Sequence, residues 1–162
     1  MDKKIIISNA KKVIITETDG IKKLSKILND NFLKILIKLS KVRGKVVFTG
    51  IGKSAHIAQK ISSTMSSTGT QSQFYHATEM SHGDLGGVSK NDLVIILSNS
   101  GNSLELKGVL EFCKKNKIST IGVSSNKNSY LINSSEMSLV IPDTEEACSL
   151  GLAPTTSTSM ML

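Results

Sequence analysis

The stretch LVIILSNSGNSLELKGVL, residues 93–110, carries most of the information about the fold that we predict for this chain. It begins with an apolar run, passes through a serine-rich turn that contains Gly101, and continues with a helical pattern of apolar residues. A buried strand that leads through such a turn into a helix brings together free backbone N–H groups, hydroxyl donors and the positive end of the helix dipole. The sequence therefore predicts an anion pocket at this turn, and phosphate is the anion that suits it.

Strand-like and helical segments alternate on either side of this stretch. The strand-like segments are residues 45–49, 72–75, 92–97, 119–123 and 139–141. Apolar runs without polar alternation, separated by helices, are typical of parallel strands that are covered on both faces. The predicted fold class is α/β: a three-layer α/β/α sandwich with a five-stranded, mainly parallel sheet and the N-terminal helices packed on it.

Residues 1–41 are predicted to be a helical lead-in of two segments, with a break or kink at Asp19 and Gly20. The second segment has apolar residues at steps of three and four, which indicates a helix with one apolar face. These residues are Leu24, Ile27, Leu28, Phe32, Ile35, Leu36 and Leu39. Residues 42–162 form the predicted α/β core, and a length of 162 residues suits a single domain.

Composition narrows the classes of function. The formal net charge of +7 is compatible with nucleic-acid binding, but the lysines are scattered along the sequence and Arg43 is the only arginine. Aromatic residues, which would stack on bases, make up only 4% of the chain. We therefore expect no nucleic-acid partner, and we interpret the charge as a solvated surface that attracts small anionic substrates.

The sequence also indicates the cellular compartment of the protein. No apolar run approaches the ~18 residues that a membrane span needs, and the apolar stretch near the start is too short for a signal peptide. Cys113 and Cys148 are isolated thiols without metal-type spacing, which fits a reducing compartment. We expect a cytoplasmic protein without a membrane partner.

A second motif, GIGKS at residues 50–54, follows the first predicted strand. It is not a phosphate-binding P-loop, because Val47 stands where the first glycine should be. Its glycines fit a dinucleotide-binding turn, but Tyr75 and His76 end the second strand where an acidic ribose partner is expected. A tight turn alone would explain the glycines. It would not explain Lys53, whose ammonium group can neutralise a phosphate or a developing oxyanion.

Several acidic and histidine residues allow both a structural and a chemical interpretation. Glu105 lies three residues after Asn102, so it can close a capping box or take part in catalysis. Glu145 and Glu146 can be a solvated pair, although their connection leaves the sheet edge where ligands of α/β folds bind. A third group comprises His76, Glu79, His82 and Asp84. Its spacing fits no standard metal site, so ordinary loop polarity is the preferred interpretation.

Five segments together resemble a known family. They are GIGKSAHI (50–57), STGT (67–70), SHGDLG (81–86), SNSG (98–101) and EACSLGLAPT (146–155). Together these segments span most of residues 42–160. In this order they resemble the sugar isomerase (SIS) domain. The serine-rich segment marks any SIS domain, whereas the third and fifth segments are similar to those of the D-arabinose-5-phosphate isomerase family in particular.

The resemblance implies aldose–ketose isomerisation between D-ribulose 5-phosphate and D-arabinose 5-phosphate, the entry step to Kdo for lipopolysaccharide. It implies no organic cofactor and a homo-oligomer, a tetramer in this family. The implied substrate- and phosphate-binding residues are Gly52, Ser54, Ser98, Asn99, Ser100, Gly101, Ser103 and Thr155. No metal is required, although His82 is a candidate site for an inhibitory one.

The implied catalytic residues are Lys53, Glu105 and Glu146. The chemistry needs a carboxylate that removes a carbon-bound proton, with a pKa raised toward neutrality. We expect Glu146 to be this base, Lys53 to stabilise the enediolate oxygen and Glu105 to move protons between oxygens. Two alternatives stay open: a sugar-phosphate sensor without catalysis, which would need only the serines, and a nicotinamide-dependent dehydrogenase.

Two features of the family have no counterpart in the chain. One is a histidine in a His-Pro-Gly-Gly segment, and the other is a C-terminal pair of CBS domains. Pro154 and Thr155 favour the first turn of a helix that only a few residues follow. We therefore expect a truncated chain that is catalytically incomplete.

Overall fold

The computed structural model describes residues 2–162, and within this range five strands form one sheet. The strands are β1 (Val46–Gly50), β2 (Ser72–His76), β3 (Leu93–Leu97), β4 (Ser119–Ser124) and β5 (Met137–Val140). They lie in the order β2-β1-β3-β4-β5, and every neighbouring pair is parallel. The predicted parallel sheet is confirmed. Its last strand begins two residues before the predicted segment 139–141, because the polar Ser138 interrupts the apolar pattern there.

Helices cover both faces of the sheet, as predicted. The helices are α1 (Lys3–Lys23), α2 (Asp30–Ser40), α3 (Gly52–Ser67), α4 (Ala77–Ser81), α5 (Glu105–Lys115), α6 (Tyr130–Ser134) and α7 (Thr156–Met161). Of these, α1 packs on α7 and not on the sheet, so the prediction that the N-terminal helices pack on the sheet holds for α2 but not for α1. Alternate residues of β3 enter two separate cores. Ile95 packs with side chains of α2, α3 and α7, whereas Ile96 packs with side chains of α4, α5 and α6. Every residue of β1 and β3 is buried, which places these strands at the centre of the three layers.

The predicted break at Asp19 and Gly20 is wrong. Helix α1 continues through both residues to Lys23, and the chain turns only at a 3₁₀ segment, Leu24–Ile27. The side chain of Asn29 then caps α2 by accepting hydrogen bonds from the N–H groups of Asn31 and Phe32. Gly20 is buried, and a β-carbon there would overlap the side chain of Thr156. The glycine therefore allows α7 to approach α1 closely and does not end the helix.

A buried ion pair joins the amino ends of the two central strands. The Asp92 carboxylate accepts hydrogen bonds from the Lys45 N–H at 2.9 Å, the Ser89 N–H at 2.7 Å and Lys45 Nζ at 3.2 Å. Lys45 Nζ also donates to the Gly87 carbonyl at 2.8 Å. Burial raises the pKa of Asp92, but the hydrogen bonds from Ser89 and Lys45 outweigh it and hold the pKa below its usual value.

Among the helices of residues 2–162, none has the length and apolar character that a membrane crossing requires.

We predict that Asp92→Asn lowers the free energy of unfolding by about 1–3 kcal/mol at neutral pH, because Lys45 loses its partner and buried donors lose their acceptor. Since the pKa of Asp92 is lowered in the folded protein, this stabilisation is complete above the usual aspartate pKa and is lost as the pH falls. Urea denaturation of both proteins between pH 7 and pH 3 measures this difference.

The matched control is Asp19→Asn, which removes an exposed i,i+3 pair with Lys22. Exposed pairs contribute about 0–1 kcal/mol, so this variant should denature close to the wild type. Equal effects of the two substitutions would contradict the prediction.

Candidate functional site

The strand order creates a crevice at the carboxyl ends of β1 and β3. The chain leaves β1 through α3 toward β2 on one side, and leaves β3 through α5 toward β4 on the other. Open α/β sheets bind ligands where neighbouring strands diverge in this way. Gly50 pairs with Leu97 at this point, so Lys53 and Ser54 begin α3 beside the segment 98–104 that follows β3. The predicted binding residues of both motifs therefore lie at one sheet edge.

Hydrogen bonds to its carbonyls and serines fix the loop formed by residues 98–104, here called the serine loop. The Asn99 carbonyl accepts from Ser124 Oγ at 2.8 Å and from Ser125 Oγ at 3.1 Å. Ser98 is buried, and its hydroxyl accepts from the Gly101 N–H at 3.1 Å. These contacts attach the loop to the adjacent end of β4, so its shape exists without a ligand.

Gly101 is required where the serine loop turns. Its φ is +67°, in the left-handed region, and a β-carbon would overlap the Ser129 side chain. Gly52 also has a positive φ, +57°, but a β-carbon there would find no other atom within 4 Å. Gly101 is therefore needed for both its backbone angle and its close packing, whereas Gly52 is needed for its angle alone.

Within residues 2–162, no hydrogen bond engages the N–H groups of Asn99, Ser100 and Ser103. Helix α5 begins just after them, so the positive end of its dipole faces the same loop. Side chains of Ser100 and Ser103 add hydroxyl donors. Such a set of donors suits an anion with several oxygens, and phosphate is the group with this property that proteins most often bind at helix starts.

Of the two interpretations of Glu105, the structure does not show the capping box. The helix begins at Glu105 with Leu104 as its N-cap, and no side chain caps it. The Asn102 carboxamide oxygen instead accepts a hydrogen bond from the Tyr130 N–H at 2.9 Å. Glu105 is exposed at the first turn of the helix, so its carboxylate is available to the crevice.

Glu146 is held at the start of α7. Its Oε2 accepts from the Thr155 N–H at 2.7 Å, from Thr155 Oγ1 at 3.0 Å and from the Ser157 N–H at 3.2 Å. Thr155 Oγ1 accepts in turn from the Ala147 N–H at 2.8 Å. We call this set of bonds the Glu146 clasp. These three bonds to Glu146 all end on Oε2, and the side chain of Ser157 is a further hydrogen-bond donor to the carboxylate.

The clasp changes two predicted roles. Burial raises the pKa of Glu146, but hydrogen bonds from Ser157 and Thr155 outweigh it, so the pKa lies below its usual value. The prediction of a raised pKa is therefore wrong for this conformation. The resemblance implies that Thr155 binds substrate, but here its N–H and hydroxyl both contact Glu146 and orient that carboxylate.

Lys53, Glu105 and Glu146 are not in mutual contact. Within residues 2–162, no hydrogen bond or ion pair joins any two of them. Ser54 Oγ lies 3.7 Å from the sulfur of Met161, at the end of α7 opposite to Glu146. Because α7 has six residues, its length of about 9 Å separates the clasp from the start of α3.

Comparison with known proteins decides the family. The family model of the SIS domain matches residues 38–162 of this chain. The chain belongs to the SIS domain family.

Curated relatives are similar over nearly the whole chain. The arabinose 5-phosphate isomerase KdsD of Yersinia pestis is 42% identical over 152 residues, 94% of this chain and 46% of the relative. The uncharacterized protein RP505 of Rickettsia prowazekii is 42% identical over 153 residues, 94% of this chain and 48% of the relative. The chain thus spans about half the length of the curated relatives it matches.

Among solved structures, the protein c3406 of Escherichia coli CFT073, in complex with arabinose 5-phosphate, is 38% identical with a TM-score of 0.94. The match covers 99% of this chain and 85% of that chain. The predicted resemblance to the SIS domain and the predicted fold are therefore confirmed.

Two features of this SIS domain were not predicted from its sequence. A cavity of about 550 Å³ lies between α1 and the segment that carries Glu146, and Asn9, Lys12 and Thr16 line its α1 side. Cys148 also lines this cavity. Hydrogen bonds from the N–H groups of nearby loop residues lower the pKa of its thiol, and the N–H of Ala153 has the largest effect. The contact depends on how α1 packs against a segment more than 120 residues away, and no local pattern indicates it.

The candidate metal residues are not gathered into a site. Residues 2–162 contain no cluster of three or more His, Cys, Asp or Glu side chains that could hold a metal ion. His76 caps α4, because its Nδ1 accepts from the Thr78 N–H at 3.3 Å. His82 is exposed at the end of that helix. In the described structure it is not part of a group of three or more side chains that could hold the predicted inhibitory metal ion.

We predict that Thr155→Val raises the pKa of Glu146, because the carboxylate loses the hydroxyl that donates to Oε2. Val keeps the size of the side chain, so the two N–H donors of the clasp remain. The loss of the donor should also lower the free energy of unfolding by about 1–2 kcal/mol. The pKa can be followed by carbon-detected NMR of the Glu146 side-chain carboxyl group.

The control variant is Thr155→Ser, which keeps the hydroxyl and should leave the pKa of Glu146 near the wild-type value. An unchanged pKa in the Val variant would show that the clasp does not set the ionisation of Glu146.

Proposed function

We propose that this SIS domain belongs to an arabinose-5-phosphate isomerase, which interconverts D-arabinose 5-phosphate and D-ribulose 5-phosphate on the route to Kdo and lipopolysaccharide. The observation that carries the proposal is the serine loop, whose free N–H and hydroxyl donors meet at the diverging ends of β1 and β3. The similarity to KdsD isomerases and to a protein solved with arabinose 5-phosphate supports this choice of substrate.

Phosphate binding is assigned to donors on both sides of the crevice. The proposed residues are Gly52, Ser54, Ser98, Asn99, Ser100, Gly101 and Ser103. Of these, Ser98 and Gly101 act by shaping the loop, since their polar groups already bond within it. Asn99, Ser100 and Ser103 supply the free N–H groups that would contact phosphate oxygens. Thr155 is proposed to contribute by orienting Glu146, which its N–H and hydroxyl contact.

The reaction moves a proton and shifts a carbonyl by one carbon. A base takes the proton from C2 of the aldose, which gives an enediol, and then returns it to C1. The oxygen on C1 gains a proton and the oxygen on C2 loses one, so the ketose forms without any external oxidant. No organic cofactor is needed for this proton balance.

We propose Glu146 as the base. The clasp orients the carboxylate through Oε2 and holds it in the ionised form, which can accept a proton. Lys53 would stabilise the negative oxygen of the enediolate, and Glu105 would transfer the proton between the two oxygens. Because the phosphate and the reacting carbons are at opposite ends of the sugar, the base and the serine loop need not touch.

Glu146→Gln should lower deuterium incorporation at C2 of arabinose 5-phosphate by about 10²–10⁴-fold in deuterated water, because Gln cannot accept the proton. Binding of the sugar phosphate should change by less than about threefold, since the serine loop is intact. The full natural protein is used, with NMR for exchange and calorimetry for binding.

The control is Glu145→Gln, which changes the exposed neighbouring carboxylate and should keep the wild-type exchange rate. Binding without exchange in the wild-type protein would instead support the sensor. Full exchange in Glu146→Gln would exclude Glu146 as the base.

We also propose that copies of the chain associate through α1 and α2, as a homo-oligomer. Both helices expose large apolar side chains, which are unusual on the surface of a monomer. They include Ile7, Ile14, Ile15, Leu33 and Ile37. A cytoplasmic location is proposed as well, and the two free thiols support it.

Ile14→Lys should lower the molar mass measured by light scattering, because a buried ammonium group would disrupt an apolar interface. Ser8→Lys adds the same charge at an already polar, exposed position of α1 and should leave the mass unchanged. A wild-type protein that is monomeric at micromolar concentration would contradict the proposal.

A further inference from the structure

Eight of the 20 basic residues lie near the sheet edge opposite to the serine loop. Basic residues lie in or next to the connections that enter the strands, at the amino edge. They are Lys38, Lys41, Arg43, Lys45, Lys90, Lys114, Lys115 and Lys117. The carboxyl edge, where the strands end, carries acids and bases. The acids are Glu79, Glu105, Asp143, Glu145 and Glu146, and the bases include Lys53, Lys127 and Lys23, which contacts Thr144.

Structural roles account for four of the eight amino-edge cations. Lys114 and Lys115 lie in the last turn of α5, where cations complement the helix dipole. Lys45 is paired with Asp92, and Lys38 Nζ lies 2.9 Å from Glu136. Within residues 2–162, Lys41, Arg43 and Lys90 have no acidic partner, and none of them lies in a helix.

These three unpaired cations line one cavity of about 310 Å³. Lys41 and Arg43 come from the connection before β1, and Lys90 comes from the connection before β3. The other polar side chains of the wall include Asn91 and Ser119. The carboxylate of Asp92 is buried in the wall, but it already accepts hydrogen bonds from Ser89 and Lys45, which partly offset its charge.

The geometry points to a second anion site in this amino-edge cavity, for a small ligand with two or more negative charges such as a phosphorylated metabolite. Arg43 can bind phosphate or carboxylate oxygens in pairs, and the lysines add charge without fixed direction. The lining contains no aromatic residue, so nothing there would stack on a base. A volume near 310 Å³ suits a compact ligand. The site is separate from the proposed isomerase site.

Inorganic pyrophosphate is the probe, titrated into the protein by calorimetry at a constant ionic strength of about 0.1 M. Arg43→Ala and Lys41→Ala/Lys90→Ala should each weaken binding at least tenfold. Arg43→Lys should weaken it less, because it keeps the charge and loses the paired hydrogen bonds. NMR shifts of backbone amides in residues 41–45 and 89–92 should locate the ligand.

The matched control is Lys34→Ala, which removes an exposed lysine of α2 outside the cavity and should change affinity by less than twofold. Equal weakening in the control, or NMR shifts confined to residues 98–104, would overturn the proposal. Tighter binding of single-stranded DNA than of pyrophosphate, lost in the same variants, would overturn the small-anion assignment. Circular dichroism of each variant confirms that it is folded.

Discussion

The parallel pairing of β1 with β3 holds the sheet, its two cores and the crevice in place. Val46 is opposite Leu93 at one end of this pair, and Gly50 is opposite Leu97 at the other. A shift of one residue would turn the core side chains of either strand toward the wrong face, so burial on both faces fixes the register. A β-carbon on Gly50 would lie 2.9 Å from the Leu97 carbonyl oxygen, so the close approach at the crevice also depends on this pairing.

The sequence predicts the parts of the fold that depend on local patterns. The apolar runs of β1 and β3 and the serine loop lie where expected, because an unbroken apolar run between helical segments has few other interpretations. The prediction for Gly20 is wrong because a glycine can end a helix or allow close packing, and the choice depends on Thr156, far away in the chain. The role of Asn102 also depends on a residue far away in the sequence. Its side-chain oxygen accepts a hydrogen bond from the Tyr130 N–H of α6 and therefore does not cap α5.

The candidate site divides in a similar way. The serine loop could be predicted because its donors are consecutive in sequence. The Glu146 clasp could not be predicted. Glu146 and Thr155 belong to the same motif, and the sequence does not indicate which of them contacts substrate and which one orients the other. The amino-edge cavity could not be predicted either. Lys90 lies far from Lys41 and Arg43 in sequence and in a different connection, and the three come together because each connection into a parallel strand returns to the same edge.

The close packing of α1 on α7 affects the order in which the chain can fold during synthesis. Helix α1 leaves the ribosome before α7, and Gly20 meets its partner Thr156 only after more than 130 further residues have been made. Until then the face of α1 around Gly20 has no α7 to pack against. Such long-range contacts slow folding and leave apolar segments exposed in the nascent chain, where a chaperone that binds apolar peptides would find them.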